Sequence, residues 1–146
     1  SVRAGLDILS EIAPETRWVM IHDGARPLVT AEIIAAGLQA AQIHQAAVAA
    51  VPVKDTIKLV QNDMITSTPE RSQLWAVQTP QVFAFALIQQ AHHTAIAQAE
   101  ATDDAALLER LGHPVAIFPG AYTNLKITTQ EDLLIAEALL KGWKNL

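Results

Sequence analysis

The order of apolar runs between residues 17 and 53 constrains the fold of this chain more than any other feature. Residues 17–22 read as a continuous apolar strand that stops abruptly at "HDGARP". "TAEIIAAGLQAAQIHQ" (30–45) reads as a helix, with Thr30 as N-cap and Glu32 in the first turn, where the helix dipole favours an acid. "AAVAAVPV" (46–53) returns to strand. Two strands without polar alternation are expected to be buried on both faces. With a helix between them they make a β-α-β unit and a parallel sheet.

Around this unit, residues 1–12 place Val2, Leu6, Ile8, Leu9 and Ile12 near a helical period, with no cap before them. Between 55 and 81 the pattern changes. Alternation over Thr56–Gln61 and the turn signal Asn62-Asp63 predict a hairpin with one polar face, inserted between β-α units. Pro69 and Pro80 punctuate the segment, and neither suits a central strand. Such an arm either contacts another subunit or lies along the edge of its own domain. A long helix is expected from Phe83 to Glu100, and a second over 103–111, capped by Thr102 and closed by Gly112. A strand over 114–120 and a last helix opened by a Thr128–Glu131 capping box complete the chain. The expectation is one α/β domain over 1–146, mostly parallel, with flanking helices and a hairpin arm at 55–81.

Composition narrows the function. The chain has 146 residues, 51% hydrophobic and 17% charged, long enough to bury roughly 70% of its unfolded surface in one core. A net charge of −5 with no basic cluster argues against nucleic acid as a partner. The absence of cysteine excludes disulfides, thiolate catalysis and metal–sulfur sites, and fits a cytoplasmic protein. No apolar stretch approaches the roughly 20 residues that span a bilayer, and "SVRAGLDILSE" is not a signal peptide, so no membrane partner is expected.

Candidate chemistry gathers at element ends. The six glycines contain no G-x-G pair, which removes the dinucleotide fingerprint and the P-loop and argues against a nicotinamide-dependent oxidoreductase. His92 and His93 are adjacent, about 100° apart on a helix, and read as solvated residues. Asp23 follows a strand, and open parallel sheets bind ligands just beyond the C-terminal ends of their strands. A carboxylate there can hold Mg²⁺, which shares its oxygen ligands with substrate phosphates, and Arg26 can fork onto a phosphate. The alternative is an ordinary turn with Arg26 in solvent. Thr56, Arg71, Thr79, Lys126 and the Thr102-Asp103-Asp104 run each also fit a purely structural role when taken singly.

Their order and wording add what single residues do not. The succession "SVRAGL", "WVMIHDGARP", "VPVKDTIK", "ERSQLWAVQTPQVF", "ATDDAALLE" and "NLKITTQEDLLIAEALL" closely resembles the 2-C-methyl-D-erythritol 4-phosphate cytidylyltransferase family, across essentially the whole chain. Sister cytidylyltransferases that use ribitol 5-phosphate share much of this pattern, and a non-catalytic α/β dimerisation fragment is the reading from a different class. The resemblance implies a Rossmann-like nucleotidyltransferase fold, CTP and a sugar-alcohol phosphate as substrates, Mg²⁺ as cofactor, and a homodimer formed through the arm. It also implies an upstream strand and Gly-rich nucleotide loop that this chain does not carry, so that the chain alone is expected to be a poor catalyst.

Carried over residue by residue, the resemblance gives Asp23 the metal and contacts to nucleotide and substrate, and gives Arg26 the sugar phosphate. It gives Ser1 the nucleotide. Thr56 and Arg71 would reach across the dimer to the partner's substrate phosphate, and Thr79 would lie near that substrate. Lys126 would face the reacting phosphates, sharing the catalytic work with Asp23. Two positions depart from the family pattern: Gly24 stands for the usual Ala, and Thr123 stands for an Asp whose role is therefore not transferred.

Overall fold

The computed structural model describes residues 2–94 and 103–143. Ser1 and Thr102, both singled out from the sequence, lie outside the described residues. The first helix, α1 (Val2–Ile12), leads into β1 (Trp18–Ile21), α2 (Ala31–His44) and β2 (Ala46–Pro52). Thr30 caps α2 as expected, its side chain accepting a hydrogen bond from the Ile33 amide, and Gln45 closes the helix in the left-handed region. A small hairpin follows, β3 (Leu59–Gln61) and β4 (Met64–Ser67), turning through Asn62 and Asp63 at φ 50° and 61°. Positive φ at both turn positions suits Asn and Asp and matches the twist of a two-residue hairpin.

The main sheet departs from the expected neighbour relations. Its order is β1-β5-β2-β6, where β5 is Trp75–Ala84 and β6 is Ala116–Pro119. β1, β2 and β6 point the same way, but β5 runs against them and separates β1 from β2. Among the described residues only β2 and β6 are parallel neighbours. Segment 75–81 therefore belongs to the sheet and not to the arm. Phe83 lies in β5, and α3 begins only at Phe85 (Phe85–His93). Pro80 stands inside this central strand, contrary to expectation. The β2–β5 register shifts between Val48 and Ala50, and that irregularity leaves Gln78, Thr79 and Pro80 outside regular pairing, so the missing N–H of Pro80 breaks no ladder bond. β1 is half-buried instead of fully buried, because only β5 flanks it among the described residues.

Alternation along β5 assigns the two faces. Val82 looks toward α2 and packs with Ile33, Ala41, Ala47, Ala49 and Phe118; Phe83 looks the other way, into Leu6, Phe85, Ile88, Leu107 and Leu108. The second cluster draws on α1, α3 and α4 (Asp104–Arg110), so helices cover both faces of the sheet. Gly37 lets α2 approach closely: a Cβ there would stand 2.8 Å from Phe118 and 2.9 Å from Val82. The Ala-rich β2 is buried along nearly its whole length, as a central strand requires.

Two caps and one histidine differ from expectation. α4 is capped by Asp103, which accepts from the Ala106 amide, and Gly112 follows it at φ 78°. α5 (Gln130–Trp143) opens on a reciprocal Thr129–Asp132 pair, not on Thr128–Glu131. The Thr128 and Thr129 amides and hydroxyls converge on the Asp132 carboxylate and hold it below the ordinary carboxylate range. His92 is not solvated. It lies 2.7 Å from Asp104 and joins α3 to α4, while His93 lies 2.8 Å from Asp7 and joins α3 to α1. The hairpin has no buried face: every residue of β3 and β4 is exposed.

Candidate active site

β1 and β6 both end on the same side of the sheet, and the segments that follow them meet there. β1 runs into His22, Asp23 and Arg26, and β6 runs into a loop bearing Asn124 and Lys126. A backbone bond from Ile127 N to Ala25 O, 2.8 Å, joins the two loops. The Lys126 ammonium lies 2.9 Å from Asp23 Oδ2, and Arg26 Nε lies 4.0 Å from the same oxygen. Residues separated by a hundred positions in the chain thus form one charged cluster at the C-terminal end of the strands, where α/β sheets bind ligands.

A cavity of about 350 Å³ opens beside this cluster, lined by His22, Asp23, Thr79, Gln81, Asp103 and Lys126 among others. That volume is near the low end for small-molecule sites. Thr79 serves the scaffold. Its Oγ1 accepts from the Asp23 amide at 2.9 Å and lies 3.1 Å from His22 Nδ1. His22 Nε2 is 3.0 Å from the Arg26 carbonyl, which can only accept, so Nε2 carries the hydrogen and Nδ1 is free to accept the Thr79 hydroxyl. A closed ring of hydrogen bonds therefore fixes the turn that presents Asp23. On the opposite wall, Gln81 donates to Asp103 at 2.8 Å and accepts from the Ala105 amide, which docks the start of α4 onto β5.

Arg26 is mostly buried and does not line the cavity. Its Nη1 donates to the Asn124 carbonyl at 2.7 Å, while Nε is buried without a hydrogen-bond partner among the described residues. Burial draws its guanidinium below the ordinary arginine value, and the Asp23 carboxylate partly offsets this. Such an orphaned donor costs about 1–3 kcal/mol, which the fold tolerates beside a charged cleft. Thr56 and Arg71 stand apart at the base of the hairpin, both exposed, with Arg71 Nη1 donating to the Lys54 carbonyl at 3.2 Å. The structure brings Asp23, Arg26, Thr79 and Lys126 together and leaves Thr56 and Arg71 on the arm.

The donor set tests the implied cation. Among the described residues, no group of three or more His, Cys, Asp or Glu side chains could hold a metal ion by itself. Asp103 and Asp104 line the cavity but are engaged with Gln81 and His92. Asp23 lines the cavity, and both of its ionic contacts are to Oδ2. One carboxylate lining a cleft fits Mg²⁺, which binds through one or two carboxylates together with substrate phosphates. His22, Gln81, Gln78 and Asn124 carried no sequence signal of a role; each becomes visible only once the loops are folded over β5.

Known proteins bear on the same segment. The family model IspD, 2-C-methyl-D-erythritol 4-phosphate cytidylyltransferase, matches residues 1–142. The protein of that name from Syntrophotalea carbinolica is 54% identical over 96% of this chain and 60% of its own length. Its counterpart from Halalkalibacterium halodurans is 53% identical over 96% and 60%. The crystal structure of 2-C-methyl-D-erythritol 4-phosphate cytidylyltransferase from Thermus thermophilus superposes with a TM-score of 0.85 at 40% identity, covering 97% of this chain and 68% of that one. The 4-diphosphocytidyl-2C-methyl-D-erythritol synthase of Anaerococcus prevotii gives 0.87 at 34% identity, covering 97% and 63%. The chain spans about 60% of the length of the curated relatives it matches. With strand-end carboxylate, lysine and arginine arranged as described, and with likeness in sequence and fold along nearly its whole length, the chain belongs to the 2-C-methyl-D-erythritol 4-phosphate cytidylyltransferase family.

Proposed function

We propose that this chain forms part of an enzyme that transfers CMP from CTP to 2-C-methyl-D-erythritol 4-phosphate. The observation that carries the reading is the Asp23–Lys126 pair, 2.9 Å apart at the mouth of a cavity where two strands end. The substrate's 4-phosphate oxygen attacks the α-phosphorus of CTP in line, a new P–O bond forms, and the bond to pyrophosphate breaks. Two anions must meet, so the task is alignment and charge neutralisation, not proton transfer. Lys126 faces the α-phosphate and offsets the charge that builds there. Arg26, behind the cavity with Nη1 on the Asn124 carbonyl, adds positive charge on the side of the attacking phosphate, and Arg71 and Thr56 complete that site from a second copy of the chain. Asp23 would hold Mg²⁺, which would supply charge neutralisation for the nucleotide phosphates. No helix among the described residues is long and apolar enough to cross a membrane. A cysteine-free chain acting on CTP fits the cytoplasm.

A family-length version of the chain, given CTP, Mg²⁺ and methylerythritol phosphate, is expected to release pyrophosphate at about 1–10³ s⁻¹. Ribitol 5-phosphate is expected to give at least tenfold lower kcat/KM. No pyrophosphate with either acceptor would overturn the reading, and preference for ribitol phosphate would reassign the substrate.

The homodimer rests on the hairpin. Leu59, Val60, Met64 and Ile65 are 54%, 59%, 70% and 63% exposed on an arm whose strands bury no residue among the described residues. Two-stranded hairpins are marginal alone and need a partner surface. Replacing Val60 and Ile65 with Glu is expected to turn a dimer into a monomer by light scattering. Unchanged mass would refute the arm as the dimer contact.

A further inference from the structure

The loop that carries Lys126 has far to travel. Across the four strands of the described residues, it leaves β6 at one end of the strand order and reaches Asp23 beyond β1 at the other, three strand spacings or about 14 Å away. One buried polar chain holds it along the way. Gly120 N bonds to Ala50 O at 2.9 Å as the loop departs. Gln78, on the irregular part of β5, donates to the Ala121 carbonyl at 2.9 Å and accepts from the Ala121 amide. Asn124, with no exposed surface, donates from Nδ2 to Gln78 Oε1 at 3.2 Å and to the Thr79 carbonyl at 2.9 Å. Because the Thr79 carbonyl can only accept, the orientation of the Asn124 amide is fixed. The Asn124 backbone carbonyl receives Arg26 Nη1 at 2.7 Å. Gly120 is part of the same device: a Cβ there would stand 2.5 Å from Gln78 Oε1 and 3.3 Å from the Ala50 backbone.

We propose that Asn124 is a positioning residue for the cytidylyl transfer. Its amide clips the loop onto β5, which sets the height of Lys126 two residues later, and its carbonyl seats Arg26. One side chain that lines no part of the cavity thus fixes the spacing between the cation serving the nucleotide phosphate and the cation serving the acceptor phosphate. The inference rests on the function proposed above.

Two measurements test it. In a family-length chain, Asn124→Ala is expected to lower kcat by about 10- to 100-fold, the scale of a 1 Å misplacement of reacting groups. Combined with Lys126→Ala, the same change is expected to cost less than threefold, because the charge it positions is already gone. Equal losses in both backgrounds would mean a structural role only and would overturn the proposal. Gln78→Met, which touches no substrate, is expected to follow the same rule with a smaller loss and decides the matter if Asn124→Ala does not fold. The second measurement needs no turnover. The Lys126 ammonium, paired with Asp23, is expected to give a resolved ¹⁵N–¹H signal that disappears in Gln78→Met; persistence unchanged would overturn the positioning role. A signal that depends on Gln78 in a protein without cytidylyl transfer would sink the functional reading and leave the positioning of the loop standing.

Discussion

Replacing Lys126 with alanine in a family-length chain is expected to lower kcat by about 10²–10³-fold, with KM for methylerythritol phosphate changed less than threefold. The asymmetry follows from where charge develops. In the ground state the α-phosphate of CTP carries one negative charge; as the acceptor oxygen approaches and pyrophosphate departs, charge spreads over its equatorial oxygens. A cation aimed at those oxygens gains more in the transition state than in the bound complex, so its loss appears in kcat. In the proposed reaction Lys126 serves the nucleotide and not the acceptor phosphate, so acceptor binding should be spared. Stability should also be spared, because Lys126 is 47% exposed and its pair with Asp23 is the kind of surface ion pair worth about 0–1 kcal/mol. Steady-state pyrophosphate release and a thermal melt separate the cases. An unchanged kcat would remove Lys126 from the chemistry, and a large fall in Tm would assign it to the fold.

The strand-helix-strand core is legible because its elements are separated by period: β2 has no polar alternation, and α2 begins at a capping threonine. The position of β5 is not. Its residues Gln78, Thr79 and Pro80 read as a punctuated loop, since their place in the sheet depends on an irregularity opposite Ala49 that no local pattern announces. For the same reason Phe83 reads as helix although it is a strand residue in the middle of the core. The capping threonine of α5 slips by one position because Thr128 and Thr129 are chemically equivalent and only the folded carboxylate of Asp132 chooses between them.

Legibility of the site divides along similar lines. Asp23 is visible as a carboxylate at a strand end, a local signal with a general physical meaning. Lys126 is not, since a single lysine entering an extended stretch has no local mark; only the ordered blocks of the family resemblance single it out. Asn124 and Gln78 escape sequence reasoning altogether. Their role exists only because the loop after β6 crosses β2 and β5, and a contact between positions 78 and 124 leaves no trace in either neighbourhood.

Asp23→Asn offers a sharper test, because it changes sign with the metal. The substitution keeps the size and the hydrogen bond from the Asp23 amide to Thr79, and removes one negative charge from the cleft. Without Mg²⁺, that charge lies close to where a polyanion must sit, and its removal frees Lys126 from its partner; CTP should bind Asp23→Asn more tightly than the unchanged protein, by several-fold at low salt. With Mg²⁺ present the order should invert, because a neutral amide oxygen would hold the ion more weakly than a carboxylate, and CTP should bind the variant more weakly. The catalytic loss should be about 10³-fold in kcat/KM, corresponding to about 4 kcal/mol of transition-state charge stabilisation. Calorimetric titration of CTP with and without Mg²⁺, on both proteins, reads the inversion directly. If Asp23→Asn instead weakens CTP binding equally under both conditions, the carboxylate shapes the turn and does not hold the cation. Tighter binding under both conditions would make Asp23 only a counter-charge to Lys126. An inverted pair of affinities, together with the kinetic loss, is the outcome that a metal-sharing carboxylate at the end of β1 requires.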